Sequence, residues 1–387
     1  MIPYSTQTID KKDLKAVNQT MKSFFLTQGP LIEKFEKDLV KKVNGKYCVA
    51  VNSATSALHI SCLALGLNKN DIFWTVPNTF VASANCGLLL GARVDFVDID
   101  PKTFNIDVNL LEKKLIDAKK KGKLPKILIP VHFAGQPTDQ KKIWSLAKKY
   151  KFKIIEDASH SLGAKNSNEP VGSCKWSDIT VFSFHPVKMI TTLEGGAALT
   201  KDHLTFKKLR LFSNHGITKD KRFFKRKNVG PWYYEQQKLG LNYRMSEVSA
   251  ALGISQLKKL KKFFKKRNFI SSLYQKNLSK EFIELPFITK NTTSSFHLYV
   301  IKLKKKAEHL HKKLFNFLRK NKINVNLHYL PVHLHPYYQS LGFKKGEFKF
   351  SEKHAQISIS LPIYPNLEQK KIKLICKKIN NFFKKNK

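Results

Sequence analysis

The sequence predicts an α/β fold, a mainly parallel seven-stranded sheet between helices over residues 1–250, with a small α+β unit over residues 251–387. From Tyr47 to Thr200, short apolar runs alternate with helical patterns, as in parallel strands joined by crossover helices. At ~100–200 residues per domain, 387 residues give about two domains and a large core. The pattern then changes to strand, helix, strand and terminal helix, which suits a second, smaller unit.

Taken in order, Asp10 can cap a helix whose apolar face is Leu14, Val17, Met21 and Phe24. The turn Leu26-Thr27-Gln28-Gly29-Pro30 ends it, and a second helix to about Val43 carries Phe35, Leu39 and Val43 on one stripe. Seven apolar runs follow as strands: YCVAV, DIFWTV, RVDFV, KILIPV, KIIED, ITVFSF and GAALT. Lys219 to Gly240, with its Lys and Arg cluster and PWYY segment, is expected to be an exposed loop. Met245 to Leu257 is helical and continues into SQLKKLKKFFKKRN, a charge run expected to be a solvated face. Strands at His297 to Leu303 and Ile323 to Leu327, with helices at about Ala307 to Asn321 and Glu368 to Phe383, complete the small unit.

Charge is the unusual part of the composition: 71 Lys+Arg against 28 Asp+Glu give a net +43. Nucleic-acid binding would call for a basic stripe interleaved with aromatics or a zinc-finger, KH or RRM signature, and none is present. The lysines are spread over nearly every surface helix, as a compositional bias would leave them, with steering of anionic substrates as a by-product. Cys48, Cys62, Cys86, Cys174 and Cys376 form no CxxC pair and suit apolar positions. MIPYSTQTID has no apolar signal region and no run approaches ~20 apolar residues, so a cytoplasmic protein without a membrane span is expected.

The chemistry centres on Val181 to Gly196, VFSFHPVKMITTLEGG. Pro186 breaks the strand, and Lys188 follows among Val187, Met189 and Ile190, away from any charge run. A lysine in a partly dry setting loses preference for its ammonium form, and the free amine is the form that reacts with an aldehyde. Asp157 ends the strand KIIED, and ligands of parallel sheets bind beyond such carboxyl ends. Asn52-Ser53-Ala54-Thr55-Ser56 lies at a strand-to-helix junction, where free N–H groups and the positive helix end suit a phosphate. Phe80, in Pro77-Asn78-Thr79-Phe80, brings an aromatic to the same rim.

Phosphate cradle, aromatic, strand-end acid and lysine together suit pyridoxal 5′-phosphate (PLP). NSATSAL, PNTFVASAN, EDASHSLGA, SFHPVKMITTLEGGA, SNHG and LNYRMSE resemble, in that order, the nucleotide-sugar aminotransferases, a family of PLP-dependent transferases of fold type I. LTQG with SATSA, DASH and SFHPVK is most similar to its pseudaminic acid branch. The resemblance implies that Lys188 holds the cofactor and moves the proton, that Asp157 faces the pyridine nitrogen, and that His160 contacts the ring hydroxyl. It further implies stacking by Phe80, phosphate contacts from Ala54, Thr55, Ser56 and Ser183, and a contact by Asn242 to the other subunit's cofactor, hence a homodimer with shared sites. The family more often has glycine where this chain has Ala54.

Tyr4, Leu26, Thr27, Gln28, Gly29, Ala54, Ser183, Asn242, Leu327, His328, Tyr329 and Leu330 match positions lining the nucleotide-sugar site. The implied substrates are a UDP-linked 2-acetamido-2,6-dideoxy-4-ketohexose and L-glutamate, with 2-oxoglutarate released. Another nucleotide-linked ketosugar is the alternative. A sugar dehydratase of the same fold has histidine in place of Lys188, and a non-catalytic basic binding protein has no use for Lys188, Asp157 and the cradle together. His328, His333 and His335 also form HxxxxHxH, a possible metal pattern that Pro331 and Pro336 interrupt.

Overall fold

A computed structural model describes residues 1–386. All seven expected strands join one sheet, in the order Tyr47–Val51, Gly196–Thr200, Ile179–Ser183, Lys153–Asp157, Ile127–Leu128, Ile72–Thr75 and Arg93–Phe96. The last five pair in parallel, and Gly196–Thr200 runs antiparallel to both its neighbours. The runs are mainly apolar because both faces are covered. Alternate residues make this visible. Val49, Val51, Val181 and Ala198 pack with helix Ala54–Ala64 on one face, while Ala50, Phe182 and Leu199 pack with helices Pro30–Val43 and Glu247–Asn277 on the other.

Asp10 caps helix Lys11–Met21 in a reciprocal box with Asp13. Its expected apolar face does not enter the core, since Leu14, Met21 and Phe24 are 56%, 57% and 93% exposed. The inward face is polar. Buried Asp13 accepts from Gln256 Nε2 at 2.8 Å and pairs with Lys259, so a hydrogen-bonded seam fixes this helix against Glu247–Asn277. Gly29 has no side chain to cap helix Pro30–Val43, and buried Glu247 does so, accepting from the N–H of Gly29, Leu31 and Ile32 at 3.1, 2.8 and 3.2 Å.

The small unit is a three-stranded antiparallel sheet with Tyr299–Leu303 between Ile283–Glu284 and Ser358–Leu361, packed by helices His311–Lys320 and Gln369–Lys384. The strand expected at Ile323 to Leu327 is not formed. That segment makes isolated bridges, Ile2 to Ile323 and Asn326 to Ser360, and the third strand is Ser358–Leu361. Asn326 exchanges both backbone bonds with Ser360, at 3.2 and 2.8 Å, and the next N–H, that of Leu327, faces the other edge and turns to the Asn326 side chain at 2.9 Å.

Helix Glu247–Asn277 runs through the sequence-based partition at residue 250. Leu257, Leu260 and Phe263 belong to the large core, and Ile270 and Tyr274 to the small one. Lys219 to Gly240 is largely irregular, apart from a short 3-10 turn and the pairing of Ile217–Thr218 with Glu235–Gln236, and Trp232 and Leu239 are 80% and 82% exposed. The five cysteines are buried and free. Among the described residues, no helix is long and apolar enough to cross a membrane.

Candidate active site

At the carboxyl ends of the central strands lies a cavity of about 530 Å³. Lys188, Asp157, His160, Ala54, Thr55, Phe80 and Ser183 all line it. Tyr4, Leu327, His328 and Tyr329 close it from the N-terminus and the small unit. Buried Asp157 ends its strand with both oxygens engaged: Ser83 Oγ donates to Oδ2 at 2.6 Å and the Ser159 N–H to Oδ1 at 3.1 Å. Two donors hold the carboxylate in one orientation.

Lys188 sits in the turn after strand Ile179–Ser183, its N–H donating to the His185 carbonyl at 2.9 Å. Burial pushes its ammonium down to about 8, against the pull of the Asp157 carboxylate, which favours the charged form. His160 is buried and held far below the usual imidazole range, first by burial and then by the charges of Lys188 and His328, so it is neutral. Its Nε2 shares a 3.2 Å hydrogen bond with the Tyr329 hydroxyl, whose pKa burial raises. Nδ1 of His160 is buried without a protein partner.

The strand-to-helix junction read as a phosphate cradle lies at Ser53. Ser53 caps helix Ala54–Ala64 through the N–H of Ser56 at 3.1 Å, leaving the first-turn N–H groups of Ala54 and Thr55 without intrahelical partners. Gly196 lies against this turn so closely that a Cβ there would meet Ala54 N at 2.5 Å. Ser56 is the exception among the expected phosphate contacts. It does not line the cavity, and its hydroxyl donates to Asn52 Oδ1 at 2.6 Å. Phe80 is 60% exposed, its ring 6.4 Å from that of Tyr329 and otherwise uncovered.

The other expected residues lie elsewhere. Gln28 and Gly29 line a separate cavity of about 650 Å³ beside Arg244, and Leu26, Thr27, Leu330 and Asn242 line neither. Asn242 is exposed, in a bridge with Asn214. The histidine cluster is pulled apart: His328 Nδ1 bonds Ser360 Oγ at 2.8 Å, and His333 Nε2 bonds Glu352 at 3.0 Å. Among the described residues, no three His, Cys, Asp or Glu side chains form a metal-ligating group.

Several site residues escape sequence reasoning. Ser83 and His297 become visible only through their neighbours Asp157 and His160. Asn78, in the quoted PNTF, accepts from the Tyr329 N–H at 3.1 Å, and the Pro77 carbonyl accepts from the Val332 N–H at 2.8 Å. These two bonds tie the Phe80 loop to the segment that closes the cavity. The donor set fits PLP: free N–H groups for its phosphate, an oriented carboxylate for its ring nitrogen, an unpartnered imidazole nitrogen, and a lysine with a weakened hold on its proton.

Sheet order, strand-end acid and lysine turn together are those of the PLP-dependent aminotransferase fold. The sequence profile of the DegT/DnrJ/EryC1/StrS aminotransferase family matches residues 7–380, and the chain belongs to that family of sugar aminotransferases. It is 38% identical over 378 residues to the UDP-4-amino-4,6-dideoxy-N-acetyl-beta-L-altrosamine transaminase of Campylobacter jejuni, spanning 97% of this chain and 96% of that one. Helicobacter pylori PseC, an aminotransferase involved in the biosynthesis of pseudoaminic acid, superposes with a TM-score of 0.90 at 31% identity over 99% of each chain. A Streptococcus pneumoniae protein assigned as a sugar aminotransferase matches in its PMP-form (TM-score 0.89, 27% identity, 98% of each chain) and its PLP-form (0.88, 27%, 97% of each). PLP is the cofactor of this family.

Proposed function

We infer that the chain transfers the amino group of L-glutamate to C4 of a UDP-linked 2-acetamido-2,6-dideoxy-4-ketohexose of L-arabino configuration. The products are UDP-4-amino-4,6-dideoxy-N-acetyl-β-L-altrosamine and 2-oxoglutarate. The observation that carries the chemistry is the meeting of Lys188, Asp157, His160 and the Ala54–Thr55 N–H groups in one cavity. The choice of sugar is supported by the 38% identity to the Campylobacter enzyme.

When bound, PLP supplies a sink for the electron pair left as the donor's C–H bond breaks. Lys188 Nζ would take that proton from the substrate carbon and pass it to C4′ of the cofactor within the same half-reaction, and would run the transfer in reverse for the sugar, work suited to an amine lowered toward neutrality. Asp157, fixed by Ser83 and Ser159, holds the ring nitrogen protonated. The unpartnered Nδ1 of His160 would be free for the ring hydroxyl, Phe80 would cover the ring, and Ala54, Thr55 and Ser183 would hold the phosphate. Tyr4, Leu327, His328 and Tyr329 form the substrate rim.

The active unit is a homodimer. Asn242 is exposed and outside its own chain's cavity, which suits a contact to a partner's cofactor. The turn Leu26 to Gly29 is bridged to the same segment, Thr27 pairing with Ser246, and Leu14, Met21 and Phe24 are exposed apolar side chains that a partner subunit would cover. The test offers the L-arabino and D-xylo UDP-4-ketosugars separately with L-glutamate and assigns C4 of the product by NMR. Amination of the L-arabino epimer is expected; preference for the D-xylo epimer would move the chain to another sugar specificity within its family.

A further inference from the structure

Arg267 is a cation where none is expected. It is 1% exposed, it sits on helix Glu247–Asn277 between the two cores, and among the described residues no carboxylate lies within ion-pair distance of it. Its Nη1 donates instead to three carbonyls, those of Phe296 (3.2 Å), His297 (3.1 Å) and Ile363 (3.0 Å), and its Nε has no partner. Burying a guanidinium for neutral acceptors alone is costly, and an apolar side chain there would avoid that cost. The arrangement makes sense where the position of those carbonyls matters.

The segment of Phe296 and His297 grips His160 from two sides. Ser295 Oγ donates to the His160 carbonyl at 2.6 Å, and the His297 ring lies against the His160 ring, centroids 4.4 Å apart at 40°. Ser295 is itself seated by its N–H to the Gly135 carbonyl at 3.0 Å. Gly135 has φ +99°, and a Cβ there would meet Ser295 Oγ at 2.2 Å. His297 is 2% exposed, lines the cavity, and is neutral through burial and the charges around it.

We propose that His297 is a positioning residue for His160, and that Arg267 fixes it by locking the Ser295–His297 backbone. The inference rests on His160 facing the cofactor, as proposed above. Small unit and sheet are thereby coupled at one imidazole: Arg267 comes from the shared helix, His297 from the approach to the small sheet, and His160 from the turn after Asp157.

The test uses the holoenzyme and follows cofactor absorbance, its pH midpoint and the Kd for PLP, with thermal unfolding measured alongside. His297→Ala is expected to shift the pH midpoint and to raise the Kd roughly two- to tenfold, the range of one lost aromatic contact. His297→Phe, which keeps a ring against His160, should restore most of both. Arg267→Met, which keeps much of the side-chain bulk but removes the donor to the three carbonyls, should reproduce the spectral shift of His297→Ala. Unchanged absorbance and Kd in His297→Ala, or a His297→Phe variant no better than it, would overturn the proposal. His160→Ala separates the two levels. If it too leaves the spectrum unchanged, the placement of His160 has failed; if it alone changes the spectrum, only the role of His297 has.

Discussion

Lys188 and Asp157 divide the work of the site by opposite means. Burial weakens the hold of the lysine on its proton, and two donors fix the orientation of the aspartate. Lys188→Ala should remove the visible absorbance of lysine-bound PLP and lower turnover by on the order of 10²–10⁴-fold or more; borohydride trapping of a lysine-linked cofactor in that variant would place the attachment elsewhere. Asp157→Asn should keep the fold and cost on the order of 10²–10³-fold in turnover, as loss of one preorganised charge does. The lowered ammonium gives a pH prediction with a definite sign. In cofactor-free protein Lys188 is mostly charged below about 8 and reactive above it, so amine labelling should show its midpoint near about 8. Surface lysines should label only near ~10.4.

At the scale of elements, the cradle and the sheet differ in how much of them shows in one dimension. The seven strands were legible because a strand buried on both faces needs an unbroken apolar run, which a sequence displays directly. Lys188 and Asp157 were legible because each follows such a run at once. Ser83, His297 and Arg267 were not, since each acquires its meaning from a residue far away in sequence, 74 residues in the case of Ser83 and Asp157. Periodicity misled at Leu14, Met21 and Phe24, because spacing marks a helix face without saying whether this chain supplies its cover. The Ile323–Leu327 alternation failed differently, since its residues pair singly with two separate elements, Ile323 with Ile2 and Asn326 with Ser360. The cradle itself is testable through Gly196. Gly196→Ala should force the backbone at Ser53 and Ala54 apart, cost about 1–3 kcal/mol of stability, and weaken PLP binding, which differential scanning with and without cofactor would resolve.

For the whole molecule, assembly and charge give two more expectations. Mixing Lys188→Ala with Asn242→Ala subunits should regain part of the activity, since a hybrid dimer carries one site with both residues intact; a fully active monomer on sizing would refute the shared site. With +43 formal charge, encounter with a diphosphate sugar should slow with salt as the screening length falls to ~10 Å at 0.1 M. A neutral control substrate should show no such slope in kcat/KM.

Helix Glu247–Asn277, its 31 residues spanning about 46 Å at 1.5 Å per residue, acts as a strut shared by both cores. A strut cannot fold at its middle without giving up backbone hydrogen bonds, so the conventional idea of two lobes snapping shut about a linker has no joint here to use. Exchange of the proposed dicarboxylate donor for the proposed nucleotide sugar would therefore be accommodated at the mouth, by movements of the Phe80 loop and the Leu327–Tyr329 segment rather than by a swing of mass. Scattering profiles with saturating glutamate and with saturating sugar nucleotide should accordingly superpose, and the difference between the two states should appear instead in exchange protection of those short segments.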